Sequence, residues 1–153
     1  MKKIVVLLSA ILLGADLLLK QIISENFNAS DRLVIIDGFF EMRYVKNFGA
    51  AWGMLSGKQS LFLIITPIIL IGLIYYFTKV EDGISITGIA LIFFGAIGNY
   101  YDRIVLGFVR DMFSFDIFGY AFPVFNIADS MVVVGVGLLI LATILEEMRY
   151  RNV

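Results

Sequence analysis

Four long apolar stretches constrain this chain more than any other feature of its sequence. They cover residues 4–23, 60–78, 84–101 and 126–145. A helix needs about 20 apolar residues to cross a bilayer, and each stretch is close to that length. The chain has 153 residues, of which 60% are hydrophobic and 16% charged. It is therefore predicted to be a polytopic membrane protein, mainly α-helical, in which residues 1–153 form one membrane-embedded domain with four transmembrane helices.

The distribution of Lys and Arg predicts the orientation of these spans. The first stretch resembles a secretory signal peptide but lacks a small-residue cleavage site, so we interpret it as a retained span. Four spans place both termini on one side. Basic residues are denser beside the termini and the 79–83 link than in the two longer connections. Because basic residues favour the cytoplasmic side, we expect cytoplasmic termini, with residues 24–57 and 103–125 outside.

The two outer segments carry patterns typical of strands. In the first, the dipeptide Asp37-Gly38 lies between two apolar runs and suits a type I′ hairpin turn. In the second, residues alternate between apolar and polar around Asp116, among aromatic side chains that suit a bilayer interface. We predict a small extracytoplasmic β-sheet lying on the membrane.

The composition excludes several kinds of chemistry. The chain contains no Cys and no His. It therefore has no disulfide, no thiol nucleophile, no HExxH zinc site and no Ser-His triad. Its formal net charge of −1 gives no indication of a nucleic-acid partner. Enzymatic chemistry would have to come from Asp, Glu, Ser, Thr, Lys, Tyr or backbone groups.

Two carboxylates are the main candidates for that chemistry. Asp129 opens the fourth span, where an ionisable group is expensive and by default suggests a functional site. Asp111 follows the third span. Two carboxylates held close together tend to share one proton. One can then take a proton from water while the other hydrogen-bonds a scissile carbonyl, which is aspartic proteolysis without a metal.

Each carboxylate also has a simpler explanation. Asp129 could offset a helix dipole in a first turn that begins with Asn126 as N-cap. Asp111 could be a solvated loop carboxylate. Structural roles could also explain other charges. Asp102 and Arg103 could form an end-of-helix ion pair or a packing anchor. Asp16 and Lys20 have a favourable i, i+4 spacing for a helical salt bridge, and this pair could also border the site.

Helical spacing of about 100° per residue predicts which faces turn inward. Glycines at regular spacing allow close approach of neighbouring helices. The predicted inward stripe of the third span consists of Gly88, Gly95, Asn99 and Asp102. That of the fourth span consists of Asn126, Asp129, Val133, Gly137 and Ile140. Both stripes bring an Asn-x-x-Asp pair to the same depth.

Two other functions compete with aspartic proteolysis. Ser56 and Lys58 could form a Ser-Lys protease dyad, although i, i+2 neighbours do not face each other on a helix. Alternatively, intramembrane acids could carry protons in a transporter or an assembly subunit. Polar residues at only one membrane face argue against a conduction path. The substitution Asp111→Asn distinguishes the two protease hypotheses, because it should abolish proteolysis by the carboxylate pair and leave a Ser-Lys enzyme active.

Five segments in order carry a resemblance to a known family. They are DLLLK at 16–20, NFGAAWG at 47–53, GNYYDR at 98–103, VRD at 109–111 and FNIADS at 125–130. Together they resemble the motifs of the bacterial lipoprotein signal peptidases, the type II signal peptidases. This resemblance implies an aspartic protease of the bacterial cytoplasmic (inner) membrane. It would act without a cofactor at the extracytoplasmic face, removing signal peptides from diacylglyceryl-modified prolipoproteins just before the lipid-bearing cysteine, among membrane lipids.

The resemblance also implies roles for individual residues. The catalytic pair falls on Asp111 and Asp129. The residues that bind substrate or brace the site are Asn47, Gly49, Asn99, Asp102, Arg103, Asn126, Asp16 and Lys20. The sequence departs from the family pattern at Trp52, where Phe is more usual, and at Arg110 and Met112 beside Asp111. An adjacent Arg110 is expected to lower the pKa of Asp111 unless it points into solvent.

Overall fold

A computed structural model describes residues 1–49 and 54–151 of the protein. Within these residues, four helices are long and apolar enough to span a membrane, which confirms the predicted fold class. They are α1 (Lys2–Asn26), α2 (Gln59–Lys79), α3 (Gly83–Leu106) and α4 (Ile127–Arg151). The third helix runs beyond the predicted end at residue 101. Arg103 therefore lies in the last turn of α3 and not in an outer connection.

The predicted sheet is present between the helices. Its strands are β1 (Arg32–Ile36), β2 (Phe40–Asn47), β3 (Val109–Ile117) and β4 (Tyr120–Ala121). In the described part of the chain they pair antiparallel in the order β1-β2-β3-β4. The β1–β2 hairpin is confirmed, but the prediction of a type I′ turn is wrong. A type I′ turn needs positive φ at both central residues, here Asp37 and Gly38. Gly38 has φ +67°, but Asp37 is not among the described residues with positive φ.

Helix α3 packs against the other three helices and forms the centre of the bundle. The predicted stripe on α3 is buried along its whole length, from Gly88 to Asp102. A Cβ at Gly88 would lie 2.8 Å from the carbonyl oxygen of Gly135, and one at Gly95 would lie 2.5 Å from that of Ala128. These glycines allow α3 and α4 to pack backbone against backbone.

The predicted inward stripe of α4 is wrong beyond its first turn. Val133 and Ile140 are 70% and 57% exposed. The buried residues of α4 are instead Ala128, Met131 and Gly135. In a bilayer the outer face of a helix is as apolar as the inner one, so hydrophobic periodicity does not identify the packed face, whereas small residues do.

The end of α3 positions the strand that follows it. Gly107 caps the helix in the left-handed region, with φ +80°, where glycine has no steric penalty. The chain then turns directly into β3. The backbone N–H of Arg110 donates to Oδ2 of Asp102 at 3.0 Å, so the start of β3 is tied to the last turns of α3.

Candidate active site

Asp129 lies in the first turn of α4 and forms a reciprocal cap with Asn126. The side-chain oxygen of Asn126 accepts from the Asp129 N–H at 2.8 Å, and Oδ2 of Asp129 accepts from the Asn126 N–H at 3.2 Å. This is the arrangement of a capping box, so the capping explanation of both residues is confirmed. It uses one oxygen of Asp129, and the other accepts a 2.6 Å hydrogen bond from Asn99.

Asp111 lies on β3 and is 1% exposed, so the interpretation of it as a solvated loop carboxylate is wrong. Both of its oxygens accept hydrogen bonds from amide side chains. Asn47, at the end of β2, donates to Oδ2 at 2.9 Å, and Asn126 donates to Oδ1 at 2.7 Å. Asn126 therefore connects both carboxylates, because its side chain binds Asp111 while its backbone N–H binds Asp129.

The environment of Asp111 favours a protonated carboxyl. Burial and the charge of Asp129 raise its pKa to about 7, against the opposing effects of the donors Asn47 and Asn126 and of the cation Lys20. The net effect leaves Asp111 titrating near neutral pH, in contrast to an exposed aspartate. The two carboxylates thus interact as a coupled pair, as expected for a site in which one proton is shared.

Arg110 does not have the predicted effect on Asp111. It is 4% exposed, and its guanidinium does not point into solvent. Successive residues of a strand point to opposite faces, so Arg110 is directed away from Asp111. Its Nη2 lies 2.8 Å from Oδ1 of Asp102. The expectation of a lowered Asp111 pKa is therefore wrong, because strand alternation directs the cation to another carboxylate.

The predicted ion pair of Asp102 with Arg103 is also wrong. Asp102 is fully buried and pairs with Arg110. Arg103 has different partners. Its Nη2 donates to the carbonyl oxygen of Gly49 at 3.0 Å, and its guanidinium lies 4.4 Å from the ring centroid of Phe62. Arg103 thereby fixes Gly49, whose N–H donates to Asn47.

The predicted pair on α1 is confirmed and reaches the site. Lys20 Nζ lies 2.7 Å from Oδ2 of Asp16, and both side chains are fully buried. Lys20 also donates to Oδ1 of Asn99 at 3.0 Å. Oδ1 of Asp16 accepts from the N–H of Ala128 at 2.9 Å, in the first turn of α4. Helix α1 thus contacts both the residue that binds Asp129 and the backbone that carries it.

A cavity of about 650 Å³ opens beside Asp129, and Asp111 is not among its lining residues. Its apolar wall comes from α2, α3, α4 and the segment before α4, with Phe62, Ala96, Phe122 and Val132 among its residues. Its polar end contains Asp129, Asn99, Arg103 and Asn47. An apolar chain can therefore occupy the cavity with a polar group placed against the site.

The Ser-Lys alternative has no support in the geometry. Ser56 and Lys58 are exposed in the segment before α2, and among residues 1–49 and 54–151 no hydrogen bond joins their side chains. Trp52 lies outside the described residues.

Sequence reasoning missed three residues that support the site. Arg110 Nη1 lies 3.0 Å from Oε1 of Gln21 and 3.4 Å from Oγ of Ser24, so these two α1 residues complete its environment. The available signal was the strand that starts at Val109. Recognising it would have placed Arg110 and Asp111 on opposite faces.

Comparison with known proteins settles the family. The family model described as signal peptidase (SPase) II matches residues 8–145. The chain belongs to the signal peptidase II family. It is a hydrolytic enzyme, a protease of lipoprotein processing that is embedded in a membrane by its candidate spans. This supports the peptidase hypothesis over the transporter and assembly-subunit hypotheses.

Individual relatives agree with this assignment. Lipoprotein signal peptidases of Staphylococcus aureus strains JH9 and Newman are 43% identical over 139 residues, which cover 90% of this chain and 85% of theirs. A bacterial membrane enzyme solved by the in meso method at 2.3 Å superposes with a TM-score of 0.90 at 40% identity, covering 95% of this chain and 90% of that one. A second, solved at 1.9 Å, gives 0.84 at 41% identity, covering 92% of each chain.

Proposed function

We propose that this signal peptidase II is an aspartic endopeptidase whose catalytic residues are Asp111 and Asp129. It removes the signal peptide from diacylglyceryl-modified prolipoproteins by cutting just before the lipidated cysteine. The observation that carries the proposal is the pair itself: Asn126 connects the fully buried Asp111 to the partly buried Asp129, and Asp129 lines an apolar cavity.

The pair supports a mechanism in which one carboxyl is protonated and the other ionised. Water attacks the scissile carbonyl carbon and gives its proton to the ionised carboxylate, while the protonated carboxyl gives its proton to the carbonyl oxygen. The tetrahedral diol then collapses. The carbon–nitrogen bond breaks, the leaving amine takes the proton held by the first carboxyl, and a diol proton returns to the second. The pair ends as it began, and no metal or covalent intermediate takes part.

The surrounding residues are proposed to hold this geometry. Asn47, Asn99 and Asn126 orient the carboxylates by hydrogen bonds. Arg103 binds Gly49, and Gly49 binds the side chain of Asn47 at the end of β2. The apolar cavity suits an acyl chain or an apolar stretch of signal peptide, both of which remain within the bilayer.

The proposed location is the cytoplasmic membrane of a bacterium, with cytoplasmic termini and an extracytoplasmic site. The density of basic residues around the termini supports this orientation.

Asp111→Asn and Asp129→Asn are each expected to abolish cleavage of a lipidated precursor in detergent or proteoliposomes. Each change removes one of two complementary proton-transfer roles, which are worth about 10²–10⁴-fold. Asp116→Asn, on the exposed end of the same strand, is the matched control and is expected to retain full activity. The assay includes EDTA. More than about a tenth of wild-type turnover in either variant, or full loss in EDTA restored by a divalent ion, would refute the aspartic mechanism.

A further inference from the structure

The proposed mechanism uses two carboxylates, yet four more charged side chains are buried beside them. Asp16, Lys20, Asp102 and Arg110 are each at most 5% exposed. Burying charges in a membrane helix bundle is costly even when they are paired. We call these four residues the buried charge cluster.

The cluster is neutral within itself. Lys20 Nζ lies 2.7 Å from Asp16 and 3.7 Å from Asp102, and Arg110 lies 2.8 Å from Asp102. Two cations therefore face two carboxylates. Lys20 can remain protonated without Asp129 or Asp111 as its counter-ion.

Lys20 determines the orientation of the Asn99 side chain. An ammonium group can only donate hydrogen bonds, so the group of Asn99 that faces Lys20 must be its oxygen, at 3.0 Å. The same oxygen accepts from Nδ2 of Asn126 at 3.1 Å. A flipped Asn99 would place its NH₂ group against both donors. Its Nδ2 is consequently held toward Asp129, at 2.6 Å.

This orientation distinguishes Asp129 from Asp111. Both oxygens of Asp129 face donors, the Asn99 amide and the Asn126 N–H, and Asp129 lies at a helix N-terminus that favours negative charge. Asp111 is also bound by two amides, but Asn47 is held by the N–H of Gly49 in a loop and not by a cation.

We infer that Lys20 is a positioning residue that holds the amide of Asn99 in one orientation and thereby keeps Asp129 ionised, with the shared proton on Asp111. The inference rests on the proposed aspartic mechanism and assigns its roles. Asp129 takes the proton from water, and Asp111 protonates the carbonyl oxygen. The raised pKa of Asp111 agrees with this assignment.

Charged groups of three elements act on Asp129. They are Asp16 and Lys20 of α1, Arg103 of α3 and Asp111 of β3. Asp102 of α3 lies 3.7 Å from Lys20 and is paired with Arg110 of β3. Lys20 is the cation that reaches Asp129 through one intervening side chain. Arg110 is directed to Asp102, and Arg103 donates to Gly49.

The test replaces Lys20 without leaving an unpaired buried charge. Lys20→Met alone would leave Asp16 as a buried charge without its cation, which is expected to impair folding. The double variant Asp16→Asn/Lys20→Met keeps the cluster neutral and keeps an acceptor for the Ala128 N–H. Lys2→Met is the matched control: Lys2 lies on the same helix, and its ammonium binds the carbonyl oxygen of Phe77. Thermal unfolding of each purified variant is compared with that of the wild type.

We expect the double variant to keep its KM and to lose kcat by about tenfold or more at pH 7. The acidic limb of its pH–rate profile should move to higher pH by about one unit, because loss of a nearby cation makes ionisation of a carboxyl harder. Lys2→Met should match the wild type in all three quantities.

Three results would overturn the inference. They are wild-type kcat with an unchanged acidic limb, a lower kcat with an unmoved limb, and a raised KM at unchanged kcat. The first would make Lys20 dispensable, the second merely structural, and the third a substrate-binding residue. An active Asp111→Asn enzyme would instead remove the aspartic mechanism itself, so the two failures are distinguishable.

Discussion

Asp111 shows how strongly the surroundings of one side chain can change its chemistry. A carboxyl on a strand is usually exposed and ionised. Here the strand packs against α1 and α3, and the side chain is buried against two amides. Its neighbour Arg110 does not compensate for that burial, because it faces the opposite side of β3.

The pKa of Asp111 predicts an alkaline limit to activity. Burial and the charge of Asp129 raise that pKa to about 7. The mechanism needs a proton on the pair, so activity should be present below this value and fall as pH rises through it. Above the limb, kcat/KM should drop about tenfold per pH unit. The measurement is a pH–rate profile on a lipidated precursor.

The folded state must be monitored in the same pH series. Circular dichroism at each pH separates loss of a catalytic proton from alkaline unfolding. Constant kcat/KM from pH 6 to 9, with folded protein throughout, would show that no group titrating near 7 is required.

The packing of α3 on α4 through small residues sets the position of Asp129, one of the two proposed catalytic carboxylates. A Cβ at Gly135 would lie 2.7 Å from the carbonyl oxygen of Gly88, which is backbone and cannot turn aside. The same helix continues at Gly137, where a Cβ would meet nothing within 4 Å. A methyl group is therefore accommodated at Gly137 but not at Gly135, on the same helix.

Gly135→Ala is therefore expected to destabilise the protein, and Gly137→Ala is not. Forcing the helices apart should cost about 1–3 kcal/mol in unfolding free energy. It should also lower kcat, since a shift of about 1 Å in Asp129 can cost 10²-fold. Reversible unfolding in detergent, together with the cleavage assay, measures both effects. Equal stability of the two variants would contradict the close packing of α3 on α4.

The helices themselves were predictable from the sequence because their lengths follow from bilayer thickness. The inward face of α3 was predictable from Gly88, Gly95 and Asn99, since small and polar residues have one favourable location in a membrane bundle. The inward face of α4 was not predictable in this way. Val133 and Ile140 are equally suited to lipid and to protein, and periodicity cannot separate the two.

The members of the site were predictable, whereas their partners were not. The motif residues come together at one end of the bundle. Which cation meets Asp102 depends on the register of β3 against α3, and this register has no signature in the spacing of charges along the chain. The observed partner of Asp102 is therefore Arg110, and not the predicted Arg103.

The whole molecule combines a helix bundle with a sheet that meets it at the carboxylates. In the described chain, the sheet contributes Asn47 and Asp111, and the bundle contributes Asn99 and Asp129. The apolar cavity opens beside them. A substrate held by lipid chains in the bilayer would present its scissile bond where the sheet and the bundle meet. The contribution of the lipid is then expected to be positioning, because the chains are already buried in the membrane.

Cleavage of two matched precursors by the purified protein in liposomes tests this account most directly. One precursor carries a diacylglyceryl cysteine, and the other is the same peptide with a free cysteine. Mass spectrometry identifies the products at equal membrane concentrations. We predict a single cut just before the lipidated cysteine, a rate at least about tenfold lower without the lipid, and no product from Asp111→Asn or Asp129→Asn. Equal rates for both precursors, a cut elsewhere, or activity in either Asn variant would contradict the account.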